Sequence, residues 1–293
     1  MATAGEWVEG ARLRTLPAAI APVAAASGIT VAAHGFGAVR ALLALVVALA
    51  LQVGVNYAND YSDGIRGTDD DRVGPLRLVG SGVSSPAAVK RAAFACFGLA
   101  GLAGLVLVAL SGHWWLLALG VASVLAAWYY TGGTHPYGYA GWGEVFVFVF
   151  FGLVAVSGTV YTQIGRVPAS AWLVACAIGG LACAILVANN LRDVHTDVAS
   201  GKHTLATRLG EGGTRVFYTA IVVVSLLLLV AVAALTTWWA LLSLVGAVFL
   251  VPAVRDIHRG ASGRALIPVL KRTGLGELAA AVGLLLGCLI GVA

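Results

Sequence analysis

With 60% of its 293 residues hydrophobic and only 11% charged, this chain carries less than half the roughly 25% charge usual in a soluble domain, so most of its length cannot face water. A net charge of +5 would suit a nucleic-acid partner in a soluble protein, but here the basic residues lie in short stretches between apolar runs, which membrane topology explains better. The four cysteines, Cys96, Cys176, Cys183 and Cys288, sit inside apolar runs and read as small apolar fillers, with neither a disulfide framework nor a soft-metal site implied.

The N-terminal stretch MATAGEWVEGARLRTLPAA has Glu6 and Glu9 where a signal peptide needs a basic region. No cleavage site follows a short apolar run, so the first span is expected to be retained. A crossing takes about 20 apolar residues. Nine candidates follow, at about 16–34, 39–59, 90–111, 113–131, 144–163, 170–191, 214–235, 237–254 and 275–292. Runs of this length satisfy their own backbone in lipid as helices. The expectation is an all-α polytopic bundle forming a single transmembrane domain over residues 1–293. With the N-terminus inside, 16 of the 18 Lys and Arg fall on the inner side, leaving only Arg40 and Arg166 outside. That asymmetry supports nine spans and a cytoplasmic N-terminus. Trp114–Trp115 and Trp238–Trp239 then fall at outer interfaces, where an aromatic belt belongs.

The second span ends in LQVGVNYANDYSDGIRGTDDDRVGPLR. Asn56, Asp60 and Asp63 are four and three residues apart and share one helix face. Ionisable groups at membrane depth are costly and are usually functional. Two carboxylates and an amide offer oxygen ligands to Mg²⁺, and Arg66, Arg72 and Arg77 offer guanidinium forks to phosphate. Asp69, Asp70 and Asp71 cannot share a face, and a solvated loop accounts for them equally well.

Next along the chain, WYYTGGTHPYGYAGWGE is the one inner loop without Lys or Arg. Tyr129, Tyr130, Tyr137 and Trp142 could line an aromatic pocket or stabilise a cation over a ring face; they could equally form an interfacial belt. His135 reads as structural, and the role of Glu144 stays open. The sixth span ends in ILVANNLRDVHTDVASGKHTLATRLG. Asp193 and Asp197 are four apart, Asn189 lies one turn earlier, and Arg192 and Lys202 flank them. One such segment could be a helix end with charge pairs. Two on one side of the membrane suggest carboxylates facing each other across a metal–diphosphate. Both segments end a span and lead into a basic loop, which hints at a duplicated helical unit.

Nine spans with aspartate-rich motifs after the second and sixth resemble the UbiA superfamily of intramembrane aromatic prenyltransferases. NDYSDGIRGTDDDRVGPLR, NNLRDVHTDVASGKHTLATRLG and the early RLRTLPAAIAPV are similar to its menaquinone-pathway branch, which prenylates 1,4-dihydroxy-2-naphthoate. The spacing N-x3-D-x2-D fits that branch, where a broader form of the motif has N-x3-D-x3-D. The resemblance implies that Asn56, Asp60, Asp63, Asp193 and Asp197 bind Mg²⁺ and diphosphate. It implies that Arg66, Arg72, Arg77, Asn189, Arg192 and Lys202 contact the substrate, with Arg14 as a further candidate, and that Tyr130 lies near the reacting carbons. The partners implied are a polyprenyl diphosphate, the naphthoate and membrane lipid, with no nucleic acid. The reaction implied is ionisation of the allylic diphosphate, attack by the ring and loss of CO2, giving demethylmenaquinone. The place implied is a bacterial plasma membrane with the active-site loops cytoplasmic. Acceptors such as 4-hydroxybenzoate, homogentisate, haem or chlorophyllide are the alternatives within the superfamily. An ion-coupled transporter is the alternative outside it, but a carrier should place its charges near the midplane, and these lie at span ends.

Overall fold

The computed structural model describes residues 2–67, 76–199 and 201–293. Arg72, Asp69, Asp70 and Asp71 lie outside the described residues. The described chain is helical and contains no strand. Its helices are α1 (Ala4–Gly10), α2 (Pro17–Ala32), α3 (Ala38–Arg66), α4 (Pro86–Ser111), α5 (Leu116–Tyr129), α6 (Gly143–Ile164), α7 (Ala169–Arg192), α8 (Val194–Ala199), α9 (Leu205–Leu235), α10 (Trp238–His258) and α11 (Gly263–Val292).

Seven of these are long and apolar enough to cross a membrane: α3, α4, α6, α7, α9, α10 and α11. An eighth crossing is available if the N-terminal pair, Ala4–Thr15 and Pro17–Ala32, is one span bent by 48°. The ninth expected span is α5, which is apolar but only 14 residues long. At about 1.5 Å per residue it covers about 21 Å, short of the roughly 30 Å hydrocarbon core. By length and composition alone, seven or eight of the nine expected spans qualify among the described residues.

The bundle is organised around α7. Of its most apolar window 72% is buried, against 28–44% in the other six long helices, so α7 is the core and the others are the wall. Small residues make this possible, because in lipid helices associate by close packing. Gly152 of α6 and Gly179 of α7 meet backbone to backbone: a methyl on Gly179 would lie 2.8 Å from Gly152 Cα, and one on Gly152 would lie 2.5 Å from Ala175 O. Around this centre α3 pairs with α4, α2 with α11, and α7 with α9. At the end of the bundle away from the aspartates, Arg40 of α3 donates to Gln163 O (3.1 Å) and Leu110 O (2.8 Å), tying the ends of three helices together.

The helices leave a cavity of about 720 Å³ between α2, α3, α4, α5 and α6. Its lining on α3 runs from Ala44 to Asn59, a 15-residue step that spans about 22 Å of helix axis. Apolar side chains and glycines line most of it; Gln52, Asn56, Asn59, Tyr130 and Tyr137 gather at the end nearest the aspartates.

Candidate active site

The first aspartate segment stays helical to Arg66, so Asn56, Asp60 and Asp63 share one face as expected, and all three are buried. Their side chains do different work. Asn56 Nδ2 donates to Ala11 O and to Thr15 Oγ1, both at 2.9 Å, and Gln52 Nε2 reaches the same threonine at 2.9 Å. These bonds pin the N-terminal segment, where exposed Arg14 lies one residue before Thr15. Asp60 is fully buried, and its two oxygens accept the backbone N–H groups of Leu78 (2.8 Å) and Val79 (2.9 Å). It thereby brackets the chain that returns to α3 and places Arg77. Asp63 meets a guanidinium and a phenol directly. Arg77 Nη2 is 3.6 Å from its Oδ2, and Tyr139 Oη donates to its Oδ1 at 2.5 Å.

The second segment pairs its acids with neighbouring cations. Helix α7 ends at Arg192, and α8 resumes at Val194, but Asp197 N still donates to Asp193 O at 2.8 Å. Arg192 grips Asp193 with Nε at 2.7 Å and Nη2 at 2.6 Å, and Nη2 also donates to Asn189 Oδ1 at 2.9 Å. Lys202 Nζ lies 3.5 Å from Asp197 Oδ1. Asp193 and Asp197 are both buried.

The aromatic loop joins the two segments. Tyr139 Oη meets Asp63, Lys202 Nζ lies 4.6 Å from the centre of the Tyr139 ring, and His203 N donates to Tyr139 O at 2.9 Å. Arg66 stands 5.7 Å from the same ring and donates to the carbonyls of Thr131 and Gly133. Arg77, Asp63, Tyr139, Lys202 and Asp197 thus form one connected chain. Sequence reasoning passes over Tyr139 for its neighbours; the signal is its place in the one inner loop without a cation of its own. Tyr130 borders the cavity edge-on to Tyr137, with ring centres 5.5 Å apart. The phenol of Tyr137 donates to Ala126 O at 2.7 Å, and burial pushes its pKa up. His135 is exposed and meets Thr134. Glu144 is buried, and its Oε1 accepts from Asn190 Nδ2 at 2.9 Å.

Among the described residues no group of three His, Cys, Asp or Glu side chains could hold a metal ion alone. The donors offered by Asp63, Asp193 and Asp197 are nonetheless hard carboxylate oxygens beside cations, and Mg²⁺ is usually held by one or two carboxylates plus substrate phosphates. That donor set fits Mg²⁺ with a diphosphate completing the shell.

The profile of the UbiA prenyltransferase family matches residues 19–273. The chain belongs to this family. Its UbiA-family relatives include the 1,4-dihydroxy-2-naphthoate octaprenyltransferase of Mycobacterium tuberculosis, 53% identical over 95% of this chain and 94% of that one. The enzyme of the same name from Escherichia coli is 39% identical over 93% and 91%. A UbiA homolog from Aeropyrum pernix superposes with a TM-score of 0.71 at 15% identity, covering 93% of this chain and 97% of that one. A UbiA homolog from Archaeoglobus fulgidus, solved bound to GPP and Mg²⁺, superposes at 0.68 with 12% identity, covering 96% and 99%. The structural neighbours establish the fold.

Proposed function

We propose that this protein transfers a polyprenyl group from an allylic diphosphate to 1,4-dihydroxy-2-naphthoate, releasing diphosphate and CO2 and giving demethylmenaquinone. The observation that carries the acceptor is the 53% identity, over nearly the full length of both chains, to a relative bearing that activity in its name. In this reading all 293 residues form one transmembrane prenyltransferase domain in a bacterial plasma membrane. The bent N-terminal pair and α5 supply the eighth and ninth spans, and the N-terminus and aspartate segments face the cytoplasm.

Asp63, Asp193 and Asp197 would hold Mg²⁺ together with the substrate phosphates, while Asn56 and Asp60 act by holding the segments that carry Arg14 and Arg77. A metal ion held there would supply the positive charge that lets the diphosphate leave. Arg77, Arg192 and Lys202 add positive charge where the leaving group gains negative charge, which counts for more in a site shielded from water. The C–O bond to the allylic carbon breaks with its electron pair leaving on the diphosphate. The ring carbon of the acceptor supplies the pair for the new C–C bond, and loss of CO2 restores aromaticity. Tyr130 and Tyr137 border the place where the cation forms, and their ring faces stabilise it. The apolar cavity keeps water from that cation and houses the prenyl tail.

The test is incubation of purified protein with farnesyl or geranylgeranyl diphosphate, Mg²⁺ and a panel of acceptors. The expected product is prenylated quinol from 1,4-dihydroxy-2-naphthoate, abolished by chelation. Product from another acceptor alone would overturn the branch; substrate flux in liposomes without product would favour transport.

A further inference from the structure

Tyr139 touches both aspartate segments. Its hydroxyl donates to Asp63 of the first at 2.5 Å, and its ring faces the ammonium of Lys202 in the second at 4.6 Å. Lys202 in turn pairs with Asp197 at 3.5 Å, and Arg77 approaches the other oxygen of Asp63. Asp63 and Lys202 are 139 positions apart in sequence, so nothing local sets their separation. The backbone of the loop is held by bonds other than those of the Tyr139 side chain. Gly138 N donates to Tyr130 O (3.0 Å), Trp142 N to Tyr137 O (3.3 Å), Tyr137 Oη to Ala126 O (2.7 Å) and Arg208 Nη2 to Ala140 O (2.9 Å). With the backbone held in this way, the phenol reaches Asp63.

We infer that Tyr139 is a positioning residue that sets the distance between the two carboxylate groups and aims Lys202, so that one metal–diphosphate can engage both. The hydroxyl orients the Asp63 carboxylate through a charge-assisted bond. The ring holds the lysine over its face, an interaction that strengthens as water is excluded. The inference rests on the proposed diphosphate chemistry. It adds that the two segments act as one site only while this tyrosine bridges them.

Two substitutions separate the two halves of the side chain. Tyr139→Phe removes the hydroxyl and keeps the ring; Tyr139→Leu removes both. Calorimetric titration of the purified proteins with Mg²⁺ and an unreactive thiodiphosphate analogue of the prenyl donor reads binding without turnover. Tyr139→Phe should weaken the analogue about tenfold, the worth of one hydrogen bond to a charged group, and only when Mg²⁺ is present. Tyr139→Leu should weaken it further, and Lys202→Met should then add little in the Leu background while costing affinity in wild type. The KM for the acceptor should stay within about twofold and the thermal midpoint should not move, as for a contact that orients without packing. Wild-type affinity in Tyr139→Phe, or equal losses for donor and acceptor with a lowered thermal midpoint, would overturn the inference. Should Tyr139→Leu not fold, Tyr139→Phe decides alone. If wild type itself binds no analogue and prenylates no acceptor, the proposed function fails instead, whatever Tyr139 does.

Discussion

The two aspartate segments look alike in sequence and are used differently in space. In the second, each acid meets a cation from its own segment: Asp193 with Arg192, Asp197 with Lys202. In the first, Asn56 and Asp60 hold other parts of the chain, the N-terminal segment and the 78–79 backbone, while Asp63 meets a guanidinium and a phenol. An acid at a span end therefore does not declare its task by type or spacing. In the proposed reading, a self-paired acid keeps its charge for the metal and diphosphate, and a bracketing acid fixes where groups such as Arg77 stand.

This difference separates into measurable effects. Asp63→Asn and Asp193→Asn should each lower kcat by about 100-fold to 1,000-fold, the cost of losing one well-placed electrostatic contact, with the thermal midpoint nearly unchanged. Full activity in either would remove the metal–diphosphate reading of that segment. Asp60→Ala should instead show itself in stability. It strands the buried N–H of Leu78, at about 1–3 kcal/mol, and the half-buried N–H of Val79, so thermal unfolding in detergent should come several degrees earlier, with protease cutting near residues 76–80. An unmoved midpoint would mean that Asp60 does not bracket that chain. Asn56→Ala should cost roughly 1–2 kcal/mol for its two lost bonds and loosen residues 11–15 to proteolysis, with a smaller loss of activity than Asp63→Asn.

Much of this architecture is legible in the order of residues alone. The helical class and the membrane follow from apolar run lengths, and the convergence of both aspartate segments is expected from a nine-span reading that would put 16 of the 18 basic residues on one side. The shared face of Asn56, Asp60 and Asp63 follows from helical spacing. The partner of each group does not follow from either. Asp60 meets Leu78 and Val79 because the chain doubles back after α3, and no local pattern announces that return. Tyr139 escapes notice because its partners lie 76 and 63 positions away, on either side. Helix α5 reads as a full span because Trp114, Trp115 and Tyr130 extend its apolar run, while the helix itself spans only Leu116–Tyr129.

The smallest expected effect tests the role of Arg66. Spacing makes it a candidate for direct contact with diphosphate, like Arg77. Its guanidinium instead donates to the carbonyls of Thr131 and Gly133, and the residue is exposed, whereas Arg77 is 8% exposed and lies against Asp63. Bonds made by an exposed guanidinium contribute little, because solvent replaces them at that end when they are lost. Arg66→Gln should therefore reduce kcat/KM for the prenyl donor by less than about fivefold, through loosening of the 131–133 turn and of the Tyr139 ring beside it. Arg77→Gln leaves Asp63 buried without that cation, and its loss should exceed about 30-fold. A loss from Arg66→Gln equal to that from Arg77→Gln would mean that the guanidinium leaves its two carbonyls for the phosphate when substrate binds. The first segment would then resemble the second more closely than its hydrogen bonds suggest.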